Sequence, residues 1–286
     1  MKKSDASIQL CRNIASWIWR KTKGKTLRPS TDPIDVVIPI VKKDIDILPL
    51  CLQGIRENVT QQIKDIYIVA PNDEDIKKFC QQEKIVFVDE TTVLNMSPQD
   101  LNLQIMRPNG QTTNRSGWLF QQLVKLSGRV GTCDYYLTID ADHILLCPHV
   151  FLTQEGTTVF YMSEECNTAY YQNIHRLTGR RYCSLFSYVD HKMLFSKQKL
   201  TLLRDIIEEA NSGMNWIDAI LKSYDRTETS GFSEFELYGD FVPKKTRRPW
   251  RHLKLGYSQL EDYQTLRQKY ADKYLCVTFP CYLKDK

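Results

Sequence analysis

The sequence of 286 residues lacks a long apolar run, and no stretch approaches the roughly 18 to 20 uninterrupted apolar residues of a transmembrane helix. Glycine and proline are scarce, at 12 and 11 residues, which excludes collagen-like and low-complexity chains. The sequence also lacks an internal repeat and a linker rich in Pro, Gly and Ser. Because 42% of the residues are hydrophobic, the chain can bury a sizeable core. We therefore expect a single globular domain rather than a fibre, a disordered chain or an integral membrane protein.

The nine cysteines include no Cys-x-x-Cys pair and no zinc-like cluster. An odd, scattered set of cysteines favours reduced, buried thiols over a disulfide framework. Two lysines follow the first methionine, but Gln9, Arg12 and Asn13 interrupt the apolar stretch after them, which makes a poor signal-peptide core. The sequence therefore predicts a cytoplasmic protein.

The net charge of +5 is unevenly distributed and falls well short of a nucleic-acid-binding composition. Residues 1–30 hold eight Lys or Arg and one Asp, a net charge of +7, which leaves −2 for residues 31–286. The first segment also carries apolar residues at helical spacing with tryptophans beside them: Ile8, Cys11, Ile14, Trp17, Ile18 and Trp19. A basic, Trp-bearing amphipathic helix suits the anionic inner face of a membrane, but a helix docked on the protein's own body has the same stripe.

From residue 34 onward, short β-branched runs alternate with helical stretches, which is the pattern of parallel βαβ units. The predicted strands are 34–41, 65–70, 84–88, 134–139, 158–162, 183–189 and 274–283. The predicted helices are 47–58, 73–82, 115–126, 198–210, a shorter one around Trp216 and Ile220, and one to about 270 that starts at a capping box of Ser258 with Glu261. Residues 89–113 show no period and are predicted to form loops. The fold class is thus α/β, with a mostly parallel central sheet in one domain over residues 31–286.

The helix predicted over residues 115–126 divides its side chains between two arcs. One arc is apolar, with Leu119, Phe120, Leu123 and Val124. The other carries Arg115, Trp118, Gln122 and Lys125 at helical spacing. The second arc, called the polar arc below, indicates the lining of a site, although a solvated helix face with one tryptophan would show the same pattern.

Asp140-Ala-Asp142 directly follows the strand predicted over residues 134–139. The other two Asp-x-Asp triplets, at residues 44–46 and 73–75, lie at predicted helix starts, where acidic residues serve as caps. Ligands of open α/β sheets bind at the carboxyl ends of strands. Two carboxylates there cannot both ionise in a dry site without a cation, and Mg²⁺ or Mn²⁺ would leave positions for phosphate oxygens.

The sequence resembles GT-A nucleotide-sugar glycosyltransferases. The resemblance is carried by an opening strand Asp35-Val-Val-Ile-Pro-Ile, two further βα units, and Tyr-Leu-Thr-Ile-Asp140-Ala-Asp142 in the position of the metal-binding DxD motif. Two further runs, Gly-Trp118-Leu-Phe-Gln-Gln122 and Phe-Ser233-Glu234-Phe-Glu236-Leu-Tyr238-Gly, are similar to a little-characterised bacterial family of surface-polysaccharide glycosyltransferases. The similarity spans roughly residues 34–256. It implies a GT-A (Rossmann-like) domain that transfers a sugar from a nucleotide-sugar donor to a glycan or lipid-linked acceptor, with Mn²⁺ or Mg²⁺ as cofactor.

The resemblance also implies roles for single residues. Asp142 would ligate the metal, and Asp140 would contact the metal or the ribose. In many such enzymes a late histidine completes the metal site, and His252, in the basic segment 244–252, is the candidate; a surface histidine fits the sequence as well. The implied donor-binding residues are Asp44, Arg115, Trp118, Gln122, Lys125 and Asp140.

Ser233 and Glu236 have the spacing of a capping box, with Ser233 as N-cap and Glu236 folded back onto it. Glu234 would then point outward, where inverting GT-A enzymes place their general base, so we predict that Glu234 deprotonates an acceptor hydroxyl. Simple capping by both glutamates is the alternative. His191, after the strand predicted over 183–189, is predicted to contact the acceptor or sugar, with a structural histidine as the alternative.

Three other functions share parts of this pattern. A phosphatase of the haloacid dehalogenase type also places Asp-x-Asp after a strand with Mg²⁺, but it calls for Thr or Val where this chain has Ile144, and the motif belongs near the first strand. A nucleotidyltransferase would carry a Gly-rich loop after the first strand, and residues 41–44 contain no glycine. A non-catalytic, membrane-peripheral scaffold that uses residues 1–30 and 244–252 is the alternative from a different class.

Overall fold

A computed structural model of the chain describes residues 10, 11, 14, 17, 27–107, 110–181, 184–248 and 252–283. The strands are β1 (Ile34–Pro39), β2 (Ile63–Ala70), β3 (Val86–Asp89), β4 (Gln104–Met106), β5 (Thr112–Asn114), β6 (Tyr135–Ile139), β7 (His143–Leu145), β8 (Thr158–Tyr161), β9 (Lys192–Ser196), β10 (Lys245–Arg248), β11 (His252–Lys254) and β12 (Cys276–Thr278). The helices are α1 (Leu48–Asn58), α2 (Glu74–Glu83), α3 (Glu90–Leu94), α4 (Ser116–Ser127), α5 (Thr168–Thr178), α6 (Lys197–Ala210), α7 (Trp216–Ser223), α8 (Glu234–Phe241) and α9 (Tyr263–Tyr270).

The central sheet has five strands in the order β3-β2-β1-β6-β9. The first four are parallel, and β9 runs antiparallel to β6. The chain builds β1, β2 and β3 outward in one direction and then returns to place β6 on the other side of β1. The α/β class and the mostly parallel sheet predicted from the sequence are confirmed. The strand order thus reverses between β1 and β6, which is where open α/β sheets form a ligand crevice.

The two faces of the central sheet pack against two separate hydrophobic cores. Alternate residues of β1 divide between them, with Val37 in one core and Val36 and Ile38 in the other. All six residues of β1 are buried, which is typical of a strand covered by helices on both faces. Helices α1 and α2 contribute to one core, and α4, α6, α7 and α8 to the other. Such packing holds the ends of β1 and β6 in place.

A small three-stranded sheet, β11-β12-β7, continues from the end of β6. Strand β7 begins at His143, which pairs with Thr278 of β12. Helix α1 lies close against this sheet, because a Cβ on Gly54 would approach the backbone oxygen of Leu145 to 2.8 Å. The pairing of β12 with β11 brings residue 252 next to the segment that follows β6. Two distant parts of the chain therefore meet at one edge of the central sheet.

Several predicted elements differ from the structure. Residues 89–113 are not all loop, since they contain α3, a 3-10 helix at Pro98–Leu101 and the β4-β5 hairpin. Helix α3 has its own start signal, an Asp89 side chain that accepts a hydrogen bond from the Thr91 backbone. Helix α5 was not predicted. The expectation of a strand over 183–189 is wrong for the described residues 184–189, where Ser187 makes only an isolated bridge to Ser163.

The carboxyl-terminal elements also begin at other residues than predicted. Helix α9 starts after Asp262, whose carboxylate accepts from the Thr265 backbone at 3.1 Å, so the capping box of Ser258 with Glu261 is wrong. Ser258 instead lies in a 3-10 turn, Tyr257–Gln259. The predicted strand 274–283 shrinks to β12 and is followed by a 3-10 turn at Cys281–Leu283.

The predicted amphipathic helix of residues 1–30 falls largely outside the described residues. Of that segment, residues 10, 11, 14 and 17 are helical, and the side chains of Leu10, Ile14 and Trp17 are exposed. Within the described parts of the chain, the structure contains no helix long and apolar enough to cross a membrane.

Candidate functional site

A cavity of about 600 Å³ opens where the strand order reverses. Its walls include the loop after β1, the polar arc of α4 and the loop after β6, together with parts of the segment 90–99 and Cys281. The lining includes Lys43 and Asp44 after β1, and Asp140 and Asp142 after β6. Small-molecule sites have volumes of roughly 300 to 1,000 Å³. The cavity is therefore large enough for a ligand such as a nucleotide.

The polar arc predicted on α4 lines this cavity with all four of its side chains: Arg115, Trp118, Gln122 and Lys125. The alternative of an ordinary solvated face is wrong, because Gln122 is 8% and Lys125 is 4% exposed. The Arg115 guanidinium lies 4.2 Å from the centre of the Trp118 ring, a cation–π contact that holds the two side chains together. The arc thus presents one stacked cation at the cavity and one buried cation at its base.

The buried cation is Lys125, whose ammonium bridges two carboxylates. Its Nζ donates to Asp140 Oδ1 at 2.7 Å and to Glu234 Oε1 at 2.9 Å. Burial opposes the charge of the ammonium, but Asp140 and Glu234 outweigh it and raise the pKa of Lys125. Burial likewise acts to raise the pKa of Asp140, yet Lys125 and His191 hold that pKa well below its ordinary value. Lys125 and His191 together therefore keep Asp140 ionised, and the lysine also ties α4 to α8.

Glu234 is more enclosed than the sequence predicts. The expectation that it points outward is wrong, since Glu234 is 1% exposed and lies behind Lys125. The Gln122 amide, oriented to donate, gives Glu234 a second partner. Burial raises the pKa of Glu234, and Lys125 opposes this rise. Glu234 therefore contacts the side chains that line the cavity.

The capping box at the start of α8 is only half present. Ser233 is the N-cap as predicted, and its hydroxyl accepts from the Glu236 backbone at 3.2 Å. The Glu236 side chain does not fold back onto Ser233. Its Oε1 accepts instead from the Tyr188 backbone at 3.1 Å and from the Ser187 hydroxyl. A tertiary contact has thus replaced the local cap.

Asp142 carries less counter-charge than Asp140. Burial and the neighbouring Asp140 raise the pKa of Asp142 to about 7. Ligand atoms of Asp140, Asp142 and His191 all lie within 4.8 Å of one another. Two carboxylates and an imidazole at this spacing are donors that divalent cations accept in proteins. The residues therefore fit a cation, whose charge would offset the repulsion at Asp142.

His191 joins this site through both ring nitrogens. Nδ1 lies 3.0 Å from Asp140 Oδ2, and Nε2 lies 3.0 Å from Glu165 Oε1. Burial acts to lower the pKa of His191, but the two carboxylates outweigh it and raise that pKa to about 10. Sequence reasoning missed Glu165, which lies in the loop after β8 and shares no spacing with the other site residues. A residue of this kind is found only once the fold brings it to the site.

The structure places His252 beside Glu165 and His191 and not in the group with Asp140 and Asp142. Its Nδ1 lies 2.7 Å from Asp190 Oδ1, and its Nε2 lies 3.7 Å from Glu165 Oε1. At 5% exposure, His252 is not the surface histidine that the sequence allowed. Within the described part of the basic segment, Lys245–Arg248 form β10, where Arg247 donates to the Tyr188 hydroxyl at 3.0 Å, and His252 begins β11.

Comparison with known proteins gives one family match. The model of a family described as "Family of unknown function (DUF6492)" matches residues 31–279. The search of curated proteins returned no match.

Solved structures that match the chain include the following two. Mouse xyloside xylosyltransferase 1, in its apo form, is 12% identical, with a TM-score of 0.48 over 89% of this chain and 100% of that chain. An active-site mutant of LgtC is also 12% identical, with a TM-score of 0.44 over 86% of this chain and 87% of that chain.

The bridge made by Lys125 predicts a double-mutant result. Lys125→Met should lower the free energy of unfolding by about 3 to 5 kcal/mol, because the buried Glu234 and the partly buried Asp140 lose their shared cation. Adding Glu234→Gln should restore part of that loss, since one of the two charges is then removed. Denaturant unfolding at neutral pH measures both effects. Lys64→Met, at an exposed lysine, is the control and should change stability by less than about 0.5 kcal/mol. Equal stability of Lys125→Met and of the double variant with Glu234→Gln would contradict the bridge.

Proposed function

The chain belongs to the family of unknown function DUF6492, and we propose that it transfers a sugar from a nucleotide-sugar to a hydroxyl group of a glycan or lipid-linked acceptor, with a divalent metal ion. One observation carries this proposal. The paired carboxylates Asp140 and Asp142 lie at the carboxyl end of β6, in a cavity of nucleotide size where the strand order reverses. That crevice is where open α/β sheets bind nucleotides. The resemblance to GT-A enzymes in the sequence supports the same reaction.

The metal would be a hard ion such as Mn²⁺ or Mg²⁺, held by Asp140 and Asp142. When bound, it would neutralise the diphosphate of the donor and the charge that develops on it as the leaving group. Among the chain's own cations in the lining, the buried lysine is already engaged. Lys125 is already shared between Asp140 and Glu234, which leaves Lys43 and Arg115 among the cations of the lining.

The donor would lie along the cavity from the loop after β1 to the polar arc. Asp44, on the 3-10 turn after β1, would border the nucleoside. Arg115 presents its guanidinium on the face of Trp118 and can donate to phosphate oxygens. Gln122 and Lys125 lie at the base of the cavity, beside Asp140, where the donor sugar would reach.

Glu234 is the proposed general base. As the acceptor oxygen forms its bond to the anomeric carbon and the diphosphate leaves, the acceptor proton would pass to the Glu234 carboxylate. The raised pKa of Glu234 supports this role. Gln122 and Lys125 both donate hydrogen bonds to the Glu234 carboxylate in this structure. The acceptor hydroxyl would therefore have to replace the Gln122 amide as a hydrogen-bond donor. His191 lies against Asp140, so it would orient the Asp140 carboxylate and contact the sugar or the acceptor.

The charge of the first segment supports a proposal for where the enzyme is located. Residues 1–30 carry +7 and, in their described part, exposed Leu10, Ile14 and Trp17. This combination suits peripheral binding to an anionic membrane, where lipid-linked acceptors of polysaccharide synthesis are found. We propose that residues 1–30 act as a basic surface anchor and that residues 31–286 form the catalytic domain.

Asp142→Asn tests the metal-dependent reaction. Hydrolysis of a panel of nucleotide-sugars, measured with and without Mn²⁺, should show metal-stimulated turnover in the wild type. In the variant, metal-stimulated turnover should fall by at least about 100-fold, because an amide is a poorer ligand than a carboxylate and several kcal/mol of charge stabilisation are lost. With a chelator present to remove metal ions, the variant should be at least as stable as the wild type, since the repulsion between the side chain at 142 and the Asp140 carboxylate is relieved. Full metal-stimulated turnover in a folded Asp142→Asn protein would exclude this metal site.

Glu234→Gln tests the general base separately. The variant should bind donor with the affinity of the wild type while kcat for transfer falls by about 10² to 10⁴-fold. Donor affinity is measured by calorimetry and transfer by product release with the acceptor in excess. A variant that transfers sugar at the wild-type rate would show that Glu234 is not the base, without affecting the assignment of Asp142.

Replacement of Arg20, Lys21, Lys23 and Lys25 by Gln tests the membrane anchor. Each charge contributes roughly 1 kcal/mol near an anionic surface, so co-sedimentation with vesicles that contain anionic lipid should be lost. Turnover on a soluble nucleotide-sugar should be unchanged, and neutral vesicles provide the control. Undiminished sedimentation of the variant would contradict the proposed anchor.

A further inference from the structure

A second set of metal-ligand atoms lies on the side of His191 that faces away from Asp140. We propose that Glu165, His191 and His252 bind a divalent transition-metal ion of the zinc class, at a site separate from Asp140 and Asp142. This proposal does not depend on the reaction proposed above. It rests on the geometry of the three side chains, on the carboxylates behind both histidines and on the donor types.

The three donor atoms have the spacing of ligands around one ion. His191 Nε2 lies 3.0 Å and His252 Nε2 lies 3.7 Å from Glu165 Oε1. The three ligand atoms all lie within 4.8 Å of one another. Ligands that bind zinc at about 2.0 to 2.2 Å in tetrahedral geometry lie roughly 3.0 to 3.6 Å apart. Only small side-chain shifts would therefore place an ion between them.

Both histidines are backed by a carboxylate on their other nitrogen. His191 Nδ1 lies 3.0 Å from Asp140 Oδ2, and His252 Nδ1 lies 2.7 Å from Asp190 Oδ1. Asp190 is itself held by the buried ammonium of Lys192 at 2.5 Å. In metal sites a histidine ligand almost always gives its second N–H to such a partner, which fixes the tautomer and directs the free nitrogen at the metal. Here both Nε2 atoms are directed at Glu165.

The three residues come from segments that are far apart in the sequence. Glu165 follows β8, His191 precedes β9 and His252 begins β11. His191 has a φ of +57°, a left-handed conformation that a histidine adopts only at some cost. The side chains of His252, His191 and Glu165 are 4%, 17% and 26% exposed. The group is thus closed on the His252 side and open to solvent at Glu165, which leaves a route for an ion and a place for a water ligand.

The kinds of ligand atom in this group differ from those in the group at Asp142, so the two groups prefer different metals. Two imidazole nitrogens and one carboxylate select borderline metals such as Zn²⁺, Co²⁺ or Fe²⁺, whereas paired carboxylates suit Mg²⁺ and Mn²⁺. A bound ion would replace the proton shared by His191 Nε2 and Glu165. It would also compete with Lys254, whose Nζ lies 2.7 Å from Glu165 Oε1 on a side chain that is 31% exposed and has room to turn away.

Co²⁺ titration of the metal-depleted full-length chain tests the site, with excess Mg²⁺ present to occupy carboxylate sites. We expect one Co²⁺ per chain, visible absorption bands of a low-coordinate nitrogen–oxygen site, and displacement by Zn²⁺. Glu165→Gln and His252→Gln should each weaken Co²⁺ binding by at least about tenfold. Lys254→Gln should strengthen it, because a competing cation is removed.

Two matched controls make the result specific. His175→Gln removes an exposed histidine on α5 and should leave the Co²⁺ spectrum unchanged. Asp142→Asn alters the other metal group and should also leave it unchanged. Circular dichroism confirms the fold of each variant, and Glu165→Gln is the safer of the two ligand variants because Glu165 is partly exposed.

Three results would overturn the proposal. The first is the absence of Co²⁺ uptake by the wild type at micromolar concentrations. The second is an intense thiolate-to-cobalt band, which would assign the ion to cysteines such as Cys281. The third is a Co²⁺ spectrum lost in Asp142→Asn but kept in Glu165→Gln, which would place the ion at the carboxylate pair.

Discussion

The charge of a buried lysine is the constraint on which the rest of the site depends. Lys125 is 4% exposed, and an ammonium group cannot remain there without partners, because loss of its water costs several kcal/mol. Asp140 and Glu234 supply those partners from two other elements of the fold. The shared charge thereby joins helix α4, the end of β6 and the start of α8, and it adds to the core packing that sets the shape of the cavity.

That shared charge also affects the charge balance at Asp142. Since Lys125 is divided between two carboxylates, it contributes little to a third, and the pKa of Asp142 rises to about 7 through burial and the charge of Asp140. An anionic diphosphate added to this cavity would increase the repulsion. A divalent cation at Asp142 would remove both difficulties at once. The charge balance of the cavity and the sequence motif thus support the proposed metal independently.

The parts of the site that the sequence predicted are those with a local signal. The polar arc follows helical periodicity, and Asp140-Ala-Asp142 follows a buried strand, so both were found without the fold. Glu236 was misassigned because its capping-box spacing with Ser233 is local, whereas the competing contact with Tyr188 is tertiary. Glu165 carries no periodic or spacing signal at all. Its approach to His191 and His252 depends on how the loop after β8 meets β11, which a single sequence does not encode in any short pattern.

The imidazole of His191 is the physical link between the two groups of ligands. One nitrogen faces Asp140 and the other faces Glu165, at 3.0 Å in each case. An ion on Nε2 would fix the Nδ1 proton toward Asp140, and that hydrogen bond would hold the Asp140 carboxylate in the orientation that Lys125 also requires. Because a rigid ring transmits orientation without a change in the backbone, the two proposed sites can coexist, with Asp140 and Asp142 at one ion and the Nε2 atom of His191 at the other. The left-handed conformation of His191, which is costly for a histidine, places the ring between the two groups.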